Sequence, residues 1–350
     1  MKHSGKLISV LVPLVSVMMA FVIGCAIIAI LGASPVTALQ ALWTGAFGTA
    51  RNISTTLSRA TPLIFTSLCA CFAYRCGVFN LGGEGQFMMG SIICCYIATR
   101  TGLTGLPAIL LCLLAGAVFG GLWAMIPGIL KVFRGQNEMI ISIMLNYVAS
   151  LFMSVIYTNW LRDGTVPQTA AVPDETRLTR IFGRATTGFL IALVVGALIY
   201  YFLFNTSMGF QLRAVGLNMT TAEYNGFAVK KYILLSFIVS GAIAGLGGSA
   251  ELLGTQYRLI SGFASGYGFD GVAMALIGQL HPLATMAVAI FFAALRVGST
   301  AMQTATGVPT SVSDIIQALV IVFTVAGLAM VKLPSFKTAL ARLHMKKEAA

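Results

Sequence analysis

Four carboxylates stand where apolar stretches begin: Glu84 in FNLGGEGQFMMGS, Glu138 in NEMII, Asp270 in GFDGV and Asp314 in SDIIQ. An acid in the first turn of a helix lies beside unsatisfied backbone N–H groups, where its charge gains about 0.3 to 1 kcal/mol. The glycines around Glu84 (Gly82, Gly83, Gly85) permit a tight turn into such a helix. A proton relay is the competing chemistry. A carboxylate at a helix end, however, can reach water and need not be buried, so the helix-start role is expected. Glu84 is about as far from Asp270 along the chain as Glu138 is from Asp314. If successive helices alternate, the members of each pair cross in opposite directions, the pattern of an inverted repeat.

A second group is a polar stripe. Ser142, Asn146 and Ser150 recur every fourth residue, with Tyr147 alongside, and are expected to face a polar path; hydrogen bonding between helices is the plainer alternative. Catalytic constellations are missing. No GxxxxGK[ST] is present to cradle a nucleotide, nor any HExxH or GxSxG, and His3, His281 and His344 are isolated from one another in sequence. No cofactor is expected on this chain. The seven cysteines (Cys25, Cys69, Cys71, Cys76, Cys94, Cys95, Cys112) lie in or at the ends of apolar stretches without metal-ligand spacing.

The elements that must position these residues follow from composition. The 350-residue chain is 58% hydrophobic and only 9% charged, where soluble domains carry roughly 25% charged residues. Continuous apolar runs cover residues 7–31, 57–76, 86–98, 106–130, 139–158, 187–204, 232–250, 271–280, 283–300 and 315–331. They lack the alternation of barrel strands. An all-α polytopic membrane protein is expected, with about ten crossings, the third and eighth short, and helices 2–5 repeated in inverted form as helices 7–10. The first run is too long for a cleaved signal and is kept as a helix. The net charge of +12 is spread over membrane flanks, which argues against nucleic acid.

Ten alternating helices place all the lysines (Lys2, Lys6, Lys131, Lys230, Lys231, Lys332, Lys337, Lys346, Lys347) on one side, expected to be cytoplasmic with both termini. Residues 161–186 then form an external loop, whose Pro, Gly and charges read as solvent-exposed. Residues 205–231 form a cytoplasmic segment in which NMTTAEYNGF reads as a short helix, capped by Asn218 or Thr220 and stopped at Gly226. In residues 232–250, Ser236, Ser240, Ala244 and Gly248 make one small-residue stripe and Gly241, Gly245 and Ser249 another, which suits close packing at the centre of a bundle.

LRAVGLNMTTAEYNGF resembles the cytoplasmic coupling segment of permease subunits in bacterial ABC importers of the ribose and branched-chain amino-acid group, with Thr221-Ala222 where two alanines are common. FNLGGEGQFMMG, GQNEMIISIMLNYVA and GYGFDGVAMALIGQLHP follow the order of its nucleoside-uptake subgroup. The resemblance implies a single permease domain over residues 1–350 in the bacterial plasma (inner) membrane. It implies a second permease subunit, two ATPase subunits or one fused ATPase using ATP and Mg, and a substrate-binding lipoprotein or periplasmic protein. Arg213, Gly216, Asn218, Ala222, Glu223 and Gly226 would shape the surface that couples to the ATPase. A ribose-like sugar or riboflavin is an alternative cargo. An ion-coupled carrier is the rival class, with Arg59 and Arg296 its charges away from predicted helix ends.

Overall fold

The computed structural model describes residues 2–264 and 266–332. His344, Lys337, Lys346 and Lys347 lie outside the described residues, and with them most of the expected C-terminal cytoplasmic flank. Thirteen α-helices are present among the described residues: α1 (Lys2–Ile30), α2 (Pro35–Phe47), α3 (Ala50–Arg75), α4 (Gly83–Arg100), α5 (Gly105–Arg134), α6 (Glu138–Val155), α7 (Thr187–Asn205), α8 (Ser207–Leu217), α9 (Met219–Tyr224), α10 (Val229–Glu251), α11 (Tyr267–Ile277), α12 (Pro282–Thr306) and α13 (Ser311–Lys332). The described residues fall into two compact units, 2–48 with 295–332, and 49–294.

In the first unit, α1 and α2 form a pair bent by 119°. Gly32, at φ +81°, makes the break, and Pro35 restarts the helix at a position where its missing N–H has no helical acceptor to lose. Helix α2 has no counterpart among the expected elements. A Cβ on Gly298 of α12 would stand 2.3 Å from Leu42 O, so these helices meet backbone to backbone.

The second unit is built around α10, whose two small-residue stripes are packed as expected. A Cβ on Gly241 would lie 2.5 Å from Gly120 O of α5, and one on Gly248 would lie 2.0 Å from Phe87 O of α4. At the crossing of α4 with α10, a Cβ on Gly90 would come within 2.4 Å of Gly245 O. Gly90→Val is therefore expected to push two helix backbones apart, at a cost of about 1 to 3 kcal/mol. A lowered melting temperature of the detergent-purified protein checks this; an unchanged one would contradict the packing.

Among the described residues, six helical stretches are long and apolar enough to cross a membrane: Ala50–Arg75, Gly105–Arg134, Glu138–Trp160, Thr187–Asn205, Val229–Gln256 and Pro282–Thr306; the bent α1–α2 pair would make a seventh. The expected ten is not reached by this measure because α4, α11 and α13 fall short of it. Two of these spans continue as single π-turns, Ile156–Trp160 and Leu252–Gln256.

The loop 161–186 corrects an expectation of plain solvent exposure. Its backbone is tied to the stretch after α10 by bonds from Thr169 N to Leu259 O (3.2 Å), Val172 N to Tyr257 O (2.8 Å) and Leu178 N to Leu253 O (3.0 Å). Thr169, Val172, Thr176 and Leu178 are buried. A short antiparallel pair, Arg180–Phe182 with Ala185–Thr186, adds the one two-stranded ribbon among the described residues of an otherwise helical fold. The apolar residues between the prolines and charges of this loop provide the buried face.

Candidate functional site

Helices α4 and α11 meet at their N-termini. A Cβ on Gly268 would stand 2.4 Å from Glu84 N, and the Glu84 carboxylate accepts a hydrogen bond from Gly266 N at 3.1 Å. Glu84 was expected to serve its own helix, on the face opposite to Asp270. Instead it bridges to the helix that Asp270 opens. The reason lies in length: eleven residues of α11 span about 16 Å, roughly half the hydrocarbon thickness. A helix that short need not begin at a membrane face, so its N-terminus can lie against the start of α4, itself eighteen residues long. The dipoles of the two helices then point positive end to positive end, and a carboxylate between them offsets that repulsion. The other carboxylate oxygen, Oε2, is buried without a hydrogen-bond partner.

The loop leading into α4 is held by side-chain amides. Asn80 and Gln86 pair reciprocally, with Asn80 Nδ2 donating to Gln86 Oε1 (3.0 Å) and Gln86 Nε2 donating to Asn80 Oδ1 (2.9 Å). Asn80 also donates to Ser240 Oγ of α10 (2.8 Å) and accepts from Gly82 N (3.0 Å). Both amides are about 1% exposed, where an unmet hydrogen bond costs about 1 to 3 kcal/mol. Neither was singled out from sequence, although each flanks the glycine cluster.

Of the polar stripe, the structure brings Ser142 and Asn146 to this junction and leaves Tyr147 and Ser150 outside it. Asn146 Oδ1 accepts from Gly85 N (2.9 Å) and its Nδ2 donates to Leu81 O (2.9 Å). Ser142 is fully buried and its hydroxyl has no hydrogen-bond partner. Tyr147 is 70% exposed, and Ser150 is exposed too. The buried face of α6 runs through Glu138, Ser142, Asn146, Ala149 and Met153, so a strict four-residue stripe drifts off it by Ser150.

Glu138 and Asp314 also lie in the first turn of a helix. Glu138 opens α6 and pairs with Lys131 at 2.6 Å, while Asn137 caps the helix. Asp314 lies in the first turn of α13, in the other unit.

The segment 205–231 is ordered as two short helices. Asn218, not Thr220, caps α9 by accepting from Thr221 N (3.0 Å), and Gly226 ends the turn at φ +79°. Ala222 is buried and Glu223 exposed. Gly216 has a steric role: a Cβ there would stand 2.1 Å from Arg75 O, at the end of α3. The Arg213 guanidinium lies 4.9 Å from the centre of the Phe204 ring. Leu217 and Tyr224, which the sequence reading passed over, are 88% and 89% exposed.

His281, in the turn between α11 and α12, stacks near Tyr200 and Phe204. Burial, and then the Arg75 guanidinium, push it below its ordinary value.

The profile of the family described as branched-chain amino acid transport system / permease component matches residues 52–325. The guanosine ABC transporter permease protein NupP of Bacillus subtilis is 34% identical, over 93% of this chain and 95% of its own length. The nucleoside ABC transporter permease protein NupB of Lactococcus lactis is 33% identical, over 99% of each. The glucose ABC transporter permease protein TsgB13 of Haloferax volcanii is 32% identical, over 89% of this chain and 86% of its own. No solved structure matches the chain.

Proposed function

Given that the chain belongs to the family of permease components of branched-chain amino acid transport systems, we propose that it is the membrane subunit through which an ATP-driven importer moves a nucleoside inward. Membership makes it a multi-pass protein of the plasma membrane that works with ATPase and substrate-binding partners. The nucleoside assignment is supported by two relatives named for guanosine and nucleosides, each aligned over nearly its full length. A sugar is the second reading, favoured by the glucose permease at 32% identity. Riboflavin has weaker support, from a probable riboflavin import permease at 28% identity.

In this reading residues 1–350 act as one permease domain beside a second permease subunit. Two ATPase subunits or one fused ATPase bind ATP and Mg in the cytoplasm, where both termini also lie, and a lipoprotein or periplasmic protein delivers the cargo. The four helix-start acids belong to an inverted repeat; the meeting of the N-termini of α4 and α11 in the second unit fits a two-fold axis in the membrane plane that relates these two helices. Tyr147 and Ser150, on the exposed face of α6, line the path, while Ser142 and Asn146 sit behind them. The observation that carries the coupling assignment is the capped helix α9, with Tyr224 almost bare at its end and Leu217 almost bare just before it.

The test is uptake in proteoliposomes that contain this chain, the ATPase, the second permease and the binding protein. Nucleoside accumulation is expected only with ATP and all partners present, with excess ribose, glucose or riboflavin failing to compete. Accumulation by the isolated chain under an ion gradient would overturn the importer reading, and competition by a sugar or riboflavin would overturn the nucleoside.

A further inference from the structure

We propose that Arg75 is a positioning residue that links the cytoplasmic segment to α11, and so to the junction of α11 with α4. The inference rests on the coupling role given above to residues 205–231. Arg75 ends α3, and its two halves face two different partners. Its backbone carbonyl is the surface on which Gly216 of α8 lies, at a separation that leaves no room for a Cβ. Its guanidinium turns the other way: Nε donates to Leu280 O at 2.6 Å and Nη2 to Gln279 O at 3.4 Å. The Phe204 ring lies between the segment and the turn, with the Arg75 and Arg213 guanidiniums 5.4 and 4.9 Å from its centre.

The turn that Arg75 grips is itself unusual. Gln279 and Leu280 hold consecutive φ values of +53° and +57°, a left-handed conformation that costs energy for any residue with a Cβ and persists only where its surroundings hold it. Leu280 is pinned against Ala70, Cys71 and Ala275, and the two carbonyls are pinned by the Arg75 fork. A lysine carries one compact charge and lacks the planar set of donors that reaches two successive carbonyls together. Helix α11 ends immediately before this turn and begins at the Gly266–Glu84 contact. Along its length it lies directly on α3: a Cβ on Gly271 would stand 2.5 Å from Thr66 C. A push on residues 207–217 thus reaches Arg75 through backbone contact, the turn through the guanidinium, and Glu84 through one rigid helix.

The experiment measures substrate transported per ATP hydrolysed by the complete reconstituted importer. Arg75→Ala is expected to lower that ratio about tenfold in complexes that still assemble and hydrolyse ATP, with faster amide exchange over residues 266–271. Arg75→Lys should fall between the two. Adding Gln279→Gly to Arg75→Ala should restore part of the ratio, because glycine adopts the left-handed turn without a clamp. If Arg75→Ala does not assemble, Arg75→Lys with and without Gln279→Gly is read in the same way. An unchanged ratio in the Arg75 variants, or no rescue by Gln279→Gly, overturns the link. When Tyr224→Ala uncouples and Arg75→Ala does not, only the Arg75 link fails; when neither uncouples, the coupling role of the segment fails with it.

Discussion

Tyr224→Ala is expected to leave the permease as stable as before and to abolish most ATP-driven uptake. The side chain is 89% exposed, so its removal takes away almost no contact within the chain, and surface changes of that kind stay within about 0.5 kcal/mol. An aromatic ring held bare on a capped helix is what the centre of a docking interface requires, and truncating such an anchor costs about 2 kcal/mol or more, roughly a thirtyfold loss of affinity. Leu217, 88% exposed at the end of α8, should behave alike as Leu217→Asp. Glu223→Lys acts at the exposed rim and is expected mainly to slow association. Ala222→Pro removes the N–H that donates to Asn218 O at 3.0 Å and should uncouple by breaking the helix. Binding of the ATPase to the purified permease and uptake in liposomes report on all four. Normal uptake by Tyr224→Ala at normal expression would remove the segment from the coupling role.

The parts of this fold that could be read in advance are those where one local rule decides the outcome. Asn218, Gly226 and the α10 stripes are examples: capping, a left-handed stop and close packing each leave a signature within a few residues. The junction of α4 and α11 escaped for a different reason. Counting crossings treats every apolar run as a full span, which puts Glu84 and Asp270 at opposite faces even though their two runs are short. Whether a short run is a thin span or half of a broken one depends on what meets its end, and here that partner lies some 180 residues away. The same limit hid Asn80 and Gln86, whose value comes from Ser240 and from each other. Tyr147 and Asn146 are neighbours in sequence but face opposite environments, since adjacent helical residues point about 100° apart.

Asn146 separates a path-lining role from an architectural one, and the architectural outcome is the expected one. Both ends of its amide are already committed, the oxygen to Gly85 N and the nitrogen to Leu81 O. A cargo could take them only by releasing the glycine loop. Asn146→Leu, close in volume but unable to bond, would leave a buried donor and a buried acceptor unmet, a loss of about 2 to 6 kcal/mol if each costs 1 to 3. The expected result is a large fall in melting temperature and faster amide exchange over residues 81–86. Gly85→Ala should reproduce it from the opposite side, because its Cβ would sit 2.9 Å from Asn146 Oδ1 and 3.1 Å from Asn146 Cα. A cargo contact would show otherwise: the melting temperature would hold, the substrate concentration for half-maximal uptake would rise, and Gly85→Ala would transport normally. Loss of stability in both variants would instead mean that the path runs past the outer face of α6, with Asn146 behind it keeping the start of α4 against that helix.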